Sequence, residues 1–277
     1  MHEIFCYNKK LEYRQYLLSQ KLSRLTVKKY ISDIERLFTY LNKHTAEPGD
    51  IMAYKSYLMT RYKSSAVNSY IISANRYFRW LGREDLCLDL VRRQRTYFSA
   101  GEMSVTDYHA MLEYTSLSYR DRKWYLIMRC LGGLGIRVGE LKFITREAAA
   151  AGCAEIFCKS KLRTILIPDE LRGILLTYCD ENEITGGSIF LNKHKTAPID
   201  PSVIWRNLKR IAAGSGVDKA EVYPHNFRHM FARTYMCVYN NIVDLADILG
   251  HSSIETTRIY TRTSRETQRK KLDKLGL

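Results

Sequence analysis

The stretch PHNFRHMFARTYM, residues 224–236, combines a helix start with a dense set of ionisable side chains. Pro224 suits the first turn of a helix, because its ring fixes φ near the helical value and no N–H donor is needed there. His225 and Arg228 are three residues apart, which places both side chains on one face of the predicted helix. We interpret His229 as a packed structural histidine. A His-x-x-Arg pair is weak evidence alone, so its meaning depends on the rest of the chain.

Two stretches upstream carry basic side chains at predicted turns. In GGLGIRVGEL, residues 132–141, Arg137 lies on a tight, glycine-flanked turn that leads into a predicted helix. In CKSKLRTILIP, residues 158–168, a predicted β-hairpin carries Lys159, and Lys161 is a second lysine beside it. Each residue alone has an ordinary explanation, such as an ion pair at a helix start or a solvated hairpin tip.

The stretch LGHSSIETTRIYTR, residues 249–262, contains a glycine–histidine turn followed by a short polar helix. It places His251 nine residues before Tyr260, with a basic residue on either side of the tyrosine. This spacing alone is common in a chain with 20 tyrosines. The order of the complete set is far more specific, and the set consists of Arg137, Lys159, His225, Arg228, His251 and Tyr260.

These four stretches, in this order, resemble the motifs of the tyrosine recombinases, the phage integrase and Xer-like family. GLGIRVGEL resembles the first arginine box, CKSKLRTILIP the lysine hairpin, HNFRHMFA the His-x-x-Arg box and LGHSSIETTRIYTR the histidine–tyrosine box. The resemblance spans nearly all of the chain. The hairpin is shorter and has fewer glycines than is usual in the family, which leaves Lys161 as a rival to Lys159.

The resemblance implies a site-specific DNA recombinase that works as a homotetramer on DNA and is a monomer when free. Tyr260 would attack the scissile phosphate to give a 3′-phosphotyrosyl intermediate, and strands would be exchanged through a Holliday junction without metal or ATP. It also implies a mainly α-helical fold. A four-helix, SAM-like core-binding domain would be followed by a mostly helical catalytic domain with a small antiparallel sheet, and the two would form a C-shaped clamp on DNA.

The residue types suit attack on a phosphodiester. Negative charge builds on the non-bridging oxygens, and Arg137 and Arg228 can bind those oxygens with paired donors. A tyrosine has a pKa of about 10, so it needs a nearby base, for which His225 is the candidate. His251 would be a further donor to the phosphate, and a hairpin lysine would protonate the leaving 5′ oxygen. We expect Glu140 to orient Arg137 or His225, with a plain surface acid as the alternative.

The composition is that of a basic globular protein. Of 277 residues, 45% are hydrophobic and 26% are charged, which argues against a disordered chain. No apolar run approaches the roughly 20 residues that span a bilayer, and seven scattered cysteines without a CxxC pair favour a reduced compartment. We therefore expect no membrane association, and a cytoplasmic protein that lies on the nucleoid of a prokaryote.

Positive charge is spread over both halves of the chain. The net charge is +15, to which residues 1–100 contribute +9 and residues 101–277 contribute +6. Two basic folded parts favour a polyanion between them, most simply duplex DNA. We expect DNA contacts from basic side chains on outward helix faces, near the linker and in the second half of the chain: Lys28, Lys29, Arg61, Lys63, Arg76, Arg79, Arg92, Arg93, Arg95, Lys161, Lys193 and Lys195.

The hydrophobic pattern predicts the domain boundaries. Residues 1–95 contain apolar stripes of 3.6-residue period that indicate four helices. The periodicity ends at the stretch LVRRQRTYFSAGEMS, residues 90–104, so we place an interdomain linker at 96–101 and the catalytic domain at 102–277. Within the latter, Asp200 before Pro201 predicts a capped helix start.

Two other classes of protein remain as alternatives. A type IB topoisomerase uses the same chemistry, and a DNA-binding regulator can keep the fold without cutting. The complete set of reactive residues argues against the regulator, since a pure binder needs no nucleophile. No HExxH, paired zinc cysteines or P-loop occurs, so we expect neither a metal nor a nucleotide cofactor. We interpret residues 264–277 as an assembly segment.

Overall fold

The computed structural model describes residues 7–42, 45–92, 103–158, 161–251, 253–260 and Asp273; side chains are described throughout these ranges except at residues 7, 158 and 161. The chain divides into two compact units between residues 95 and 96. The predicted linker at 96–101 and nearly all of the predicted assembly segment at 264–277 lie outside the described residues.

The amino-terminal unit is helical. Its helices are α1 (Tyr7–Ser19), α2 (Arg24–Leu41), α3 (Pro48–Arg61) and α4 (Ser64–Trp80), followed by a short 3-10 helix (Glu84–Leu86). Ser23 caps α2 by accepting a hydrogen bond from the Thr26 amide at 3.1 Å. The apolar stripe of α2 is buried as its period predicts, and it packs with Tyr13 and Tyr77 into a core of its own. The four predicted helices are confirmed.

Two asparagines of α4 hold the chain that leaves this unit. Asn75 binds both the N–H and the carbonyl of Leu88, at 2.9 and 2.8 Å. Asn68 binds the same two groups of Val91 in the same way, at 2.8 and 3.0 Å. The amide side chains thus take the place of a neighbouring strand for an extended segment that has no strand partner.

The second unit is mostly helical, with one hairpin. Its elements are α5 (Val105–Ser116), a 3-10 turn (Tyr119–Asp121), α6 (Arg122–Leu134), a 3-10 helix (Val138–Phe143), α7 (Arg146–Ala151), β1 (Cys153–Cys158), β2 (Lys161–Leu166), α8 (Asp169–Glu181), α9 (Pro201–Gly214), α10 (Pro224–Tyr239), α11 (Ile242–Leu249), α12 (Ile254–Thr257) and a 3-10 turn (Arg258–Tyr260). The mainly α-helical class with a small antiparallel sheet is confirmed. So is the cap on α9, where Asp200 accepts from the Ser202 amide at 2.7 Å.

The hairpin has a buried and an exposed face. β1 and β2 pair antiparallel, with Ile156 opposite Arg163 and Phe157 opposite Leu162. Side chains alternate across a strand, so Ile156 and Arg163 face the protein while Phe157 and Leu162 are exposed. The hairpin therefore brings a charged side chain, Arg163, to the inner face of the sheet.

The core of this unit lies around α5, α6 and the amino-terminal half of α10. Leu131 and Phe227 are both fully buried within it. A smaller apolar cluster formed by Ala232, Met236, Leu245 and Leu249 packs against Tyr260. None of the helices in the described part of the chain is both long and apolar enough to cross a membrane.

Candidate active site

The Arg137 turn is shaped by a glycine. Gly135 ends α6 at φ +60°, and a Cβ added there would lie 2.4 Å from the Phe231 ring of α10. Only glycine allows both the left-handed backbone and this close approach. Arg137 follows in an extended conformation, and the helix predicted after this turn is a 3-10 helix. Its side chain is 45% exposed.

Glu140 binds both the backbone and the side chain of Arg137. Its carboxylate accepts from the Arg137 backbone N–H at 2.7 Å and from Arg137 Nη1 at 3.0 Å. It also accepts from Arg163 Nη2 at 2.6 Å. Glu140 is only 4% exposed, so the surface-acid alternative is wrong. Of the two expected partners, Arg137 is in contact with it.

Arg228 is buried within the protein. It is 1% exposed, and its guanidinium donates to the Gly135 carbonyl at 2.7 Å and to the Leu249 carbonyl at 2.6 Å. A third bond runs from Nη2 to Nε2 of His251 at 3.0 Å. Burial and the positive charge of Arg137 lower the pKa of Arg228 to about 10, which still leaves the side chain charged at neutral pH.

The contacts of His251 define its tautomer. A guanidinium only donates, so Nε2 of His251 accepts from Arg228 and the ring proton is on Nδ1. Nδ1 then donates to Thr257 Oγ1 at 2.8 Å, and Thr257 is fully buried. Burial and the charge of Arg228 lower the pKa of His251 to about 4. In this arrangement His251 is neutral and orients Arg228, whereas the sequence suggested a donor to phosphate.

The rings of His225 and His229, both on α10, form a row with the ring of Tyr260. The His225 and His229 rings meet edge-on with centroids 4.3 Å apart, and the His229 and Tyr260 rings meet edge-on at 5.3 Å. His229 is packed, as the sequence suggested, but it is packed between the predicted base and the predicted nucleophile. The sequence did not predict that His229 lies beside Tyr260. The four-residue spacing from His225 on one helix face is the signal that could have found it.

Burial governs the protonation of the ring row. It lowers the pKa of His229 to about 4, with smaller contributions from His225 and Arg228. His225 is exposed, yet partial loss of water and the charge of Arg228 also lower its pKa. Burial raises the pKa of the Tyr260 phenol, and nearby guanidiniums oppose that rise. At neutral pH the site therefore holds neutral imidazoles beside a protonated tyrosine.

Arg233 connects α10 to Met103. Its Nη2 donates to the carbonyl of Met103 at 2.7 Å. Met103 is fully buried and is the first described residue of this unit. The positive charge of Arg233 also lies close enough to Tyr260 to favour the ionised phenol.

The structure does not describe the side chains of the two predicted lysines. Lys159 lies outside the described residues, and only the backbone of Lys161 is described, at the first position of β2. The assignment of the general acid to one of them stays a prediction. The described part of the chain contains no group of three or more His, Cys, Asp and Glu side chains arranged to hold a metal ion.

The predicted DNA-contacting side chains are mostly exposed. This holds for Lys28, Lys29, Arg61, Lys63, Arg79, Arg92, Lys193 and Lys195. Arg76 is the exception, because it is partly buried with its guanidinium over the Tyr30 ring. Lys29 is exposed but forms an ion pair with Asp33. Arg93 and Arg95 lie outside the described residues.

Comparison with known proteins identifies the family. Residues 103–267, more than half of the chain, match the Phage integrase family. Residues 11–85 match the phage integrase N-terminal SAM-like domain. The chain belongs to the phage integrase family of tyrosine recombinases. The resemblance seen in the four sequence motifs is thereby confirmed.

Relatives of this tyrosine recombinase match it over almost its whole length. Tyrosine recombinase XerA of Thermococcus kodakarensis is 26% identical, over 96% of this chain and 94% of the relative. A crystal structure of a lambda integrase(75–356) dimer bound to a COC′ core site has a TM-score of 0.74 at 17% identity, covering 94% of this chain and 96% of that one. A lambda integrase tetramer bound to a Holliday junction has a TM-score of 0.71 at 18% identity, covering 94% and 79%.

Proposed function

We propose that this tyrosine recombinase is a site-specific DNA strand transferase with Tyr260 as its nucleophile. The Tyr260 oxygen forms a bond to the scissile phosphorus, and the bond from phosphorus to the 5′ oxygen breaks. The products are a 3′-phosphotyrosyl link and a free 5′ hydroxyl. This hydroxyl then attacks the phosphorus of the link on a partner strand, the bond from phosphorus to the tyrosine oxygen breaks, and the phenol is released with a proton. The observation that carries the proposal is the position of Tyr260. Its ring contacts His229, which in turn contacts His225, and the charges of Arg137 and Arg228 lie close enough to influence its phenol.

The charge of the site suits a phosphodiester. Arg137 and Arg163 both form ion pairs with the carboxylate of Glu140, and the guanidinium of Arg228 lies close enough to be influenced by its charge. Arg137 is the exposed member, so its free N–H groups can meet a non-bridging oxygen while Glu140 fixes its orientation. Preorganised cations of this kind stabilise the charge that develops in the transition state.

Proton transfer follows from the protonation states. Tyr260 is protonated at neutral pH, as an ordinary phenol is, and burial raises its pKa further, so its proton must leave as it attacks. His225 is neutral, because its pKa is lowered, and it can accept that proton. The leaving 5′ oxygen receives a proton from a hairpin lysine, Lys159 or Lys161. None of these steps calls for a metal ion or ATP.

His251 has a supporting role in this proposal. Its Nε2 carries a lone pair that accepts from Arg228, so His251 can donate to phosphate through Nε2 only after that bond is released and Nε2 gains a proton. Until then it keeps Arg228 in place through the chain of bonds that ends at the buried Thr257.

Assembly on DNA completes the proposal. The two units would bind duplex DNA as a C-shaped clamp, and four copies of a chain that is monomeric when free would exchange strands at inverted half-sites through a Holliday junction. The exposed lysines and arginines of both units support contact with a polyanion. The lambda integrase neighbours are a dimer on a core site and a tetramer on a Holliday junction. The place of action would be the nucleoid.

Replacing the nucleophile tests the proposal. The probe is a site duplex, selected from random-sequence DNA by binding to the wild-type protein and nicked at successive positions so that cleavage traps the adduct. We expect Tyr260→Phe to bind this duplex within about threefold of wild type and to form no covalent adduct on denaturing gels, because only the hydroxyl is lost. Tyr235→Phe, on the same helix as the histidines, is the matched control and should form the adduct normally.

An adduct that survives in Tyr260→Phe would show that another residue is the nucleophile. Incubation of the same protein with a two-site plasmid then separates recombination from simple relaxation. Junctions and recombinant products support the recombinase, whereas relaxation alone would establish a type IB topoisomerase activity instead.

A further inference from the structure

Arg163 lies where three parts of the site meet. It extends from the inner face of β2 and is nearly buried, with 13% of its side chain exposed. Its Nη2 donates to the Glu140 carboxylate at 2.6 Å, and its Nη1 donates to the Ile248 carbonyl at 3.0 Å. Glu140 belongs to the Arg137 turn, and Ile248 lies in the last turn of α11, directly before the turn that holds His251.

Gly250 leaves room for this side chain. It ends α11 at φ +64°, and a Cβ added there would lie 2.6 Å from Arg163 Cδ and 2.9 Å from Nη1. Contacts below 3 Å require something to move. The glycine is thus required twice, once by its left-handed backbone and once by the Arg163 guanidinium that crosses over it.

We propose that Arg163 is a positioning residue that fixes the hairpin, the Arg137 turn and the His251 turn relative to one another. Through Glu140 it sets the Arg137 side chain, and through Ile248 and Gly250 it sets the start of the segment that carries His251 and Tyr260. As a member of β2 it fixes the strand next to the predicted lysines. The catalytic meaning of this arrangement rests on the proposed function, whereas the packing of Arg163 on Gly250 does not.

The geometry requires an arginine at this position. Two separate N–H directions of one planar group satisfy a carboxylate and a carbonyl on different elements. A lysine keeps the positive charge but presents a single nitrogen on a flexible stem, so it can hold only one of the two with good geometry. Arg163→Lys therefore separates the effect of charge from that of alignment.

A double-mutant cycle tests the packing in the full-length protein. Gly250→Ala should destabilise the wild type more than Gly152→Ala does. Gly152 also ends a helix, at φ +74°, but has open space around its Cβ position. In an Arg163→Ala background the cost of Gly250→Ala should shrink to that of Gly152→Ala. We expect a coupling of about tenfold in the unfolding equilibrium constant, measured by urea denaturation.

Single-turnover cleavage tests the alignment. With saturating site duplex and at a temperature where the variant is fully folded, Arg163→Lys should form the covalent adduct about 10²-fold more slowly, as is typical of a displacement near 1 Å. Its affinity for the duplex should stay within about threefold of wild type. A residue that serves only stability would leave the rate of the folded variant unchanged.

The outcomes separate this inference from the proposed function. If wild type forms no adduct, the proposed function fails, and the denaturation cycle still decides whether Arg163 packs on Gly250. If wild type cleaves but the cycle shows no coupling, the packing is refuted. If Arg163→Lys cleaves within threefold of wild type, Arg163 does not position the reactive groups.

Discussion

The turn that carries Arg137 and the helix that carries Arg228 each supply an arginine to the site, but the two side chains differ in exposure and in the number of hydrogen bonds they form within the protein. Arg137 is exposed on a short 3-10 turn and contacts one carboxylate. Arg228 is 1% exposed on a long helix, with three of its N–H groups bound to two carbonyls and an imidazole. Two arginines that look equivalent in the sequence therefore have different environments and different partners in the folded protein.

This difference indicates that Arg228 has a structural role in addition to its charge, whereas the Arg137 side chain is exposed. Arg228 satisfies carbonyls at the ends of α6 and α11, so it joins those helix ends to α10 as well as charging the site. Arg137 has little structural work beyond its contact with Glu140, so its guanidinium is available to a substrate. Substitutions at the two positions should separate stability from rate.

The largest effect is expected from Arg228→Ala on stability. The change leaves two carbonyls and the His251 ring without their donor and opens a cavity, which together cost about 3–5 kcal/mol. The loss of unfolding free energy is measured by urea denaturation, with near-UV circular dichroism as the signal. Arg172→Ala on α8, at a partly exposed side chain, is the control and should have little effect. An Arg228→Ala protein as stable as wild type would remove the structural half of the comparison.

The next effect is that of Arg137→Ala on rate. We expect adduct formation to slow by about 10²–10³-fold, because one preorganised donor to the phosphate is lost. Stability and duplex affinity should change little, since the side chain is 45% exposed and each phosphate contact is one of many. The same Arg172→Ala variant, with 42% side-chain exposure, serves as the control for rate. Cleavage within a few-fold of wild type would mean that Arg137 does not contact the scissile phosphate.

The smallest effect concerns pH. His251 and His229 have pKa values near 4 in the folded protein, below the ordinary value of 6.5. The unfolded chain therefore binds more protons between pH 6.5 and 4, so the stability that these neutral rings provide is present above pH 6.5 and is lost as pH falls toward 4. Urea denaturation from pH 7.5 to 5 should show this loss, with a shallower slope in His251→Asn. Equal slopes in the two proteins would contradict the neutral, Arg228-bound ring.

Much of the fold could be predicted from local patterns in the sequence. The stripe of α2, the proline at the start of α10 and the strand runs on either side of the hairpin depend on neighbours within a few residues. The order of the reactive residues indicated the family for the same reason, since each motif is short and contiguous. What these patterns cannot give is which side chains meet across the fold.

The interactions that sequence reasoning missed are long-range. Arg163 meets Glu140 across 23 residues and Ile248 across 85, and no periodicity points to either contact. Burial of Arg228 could not be predicted, because an arginine on a helix start is usually exposed. The partial burial of Arg76 under the same expectation has a similar cause, since the Tyr30 ring that covers it belongs to another helix.

The bond between Arg233 and Met103 joins two parts of the second unit that are 130 residues apart in the sequence. Met103 is buried and its carbonyl accepts a hydrogen bond from α10, so the chain is attached to that helix at the first described residue of the second unit. A change in the position of residue 103 would therefore act both on the core, where the Met103 side chain is packed, and on the helix that presents His225 and Arg228.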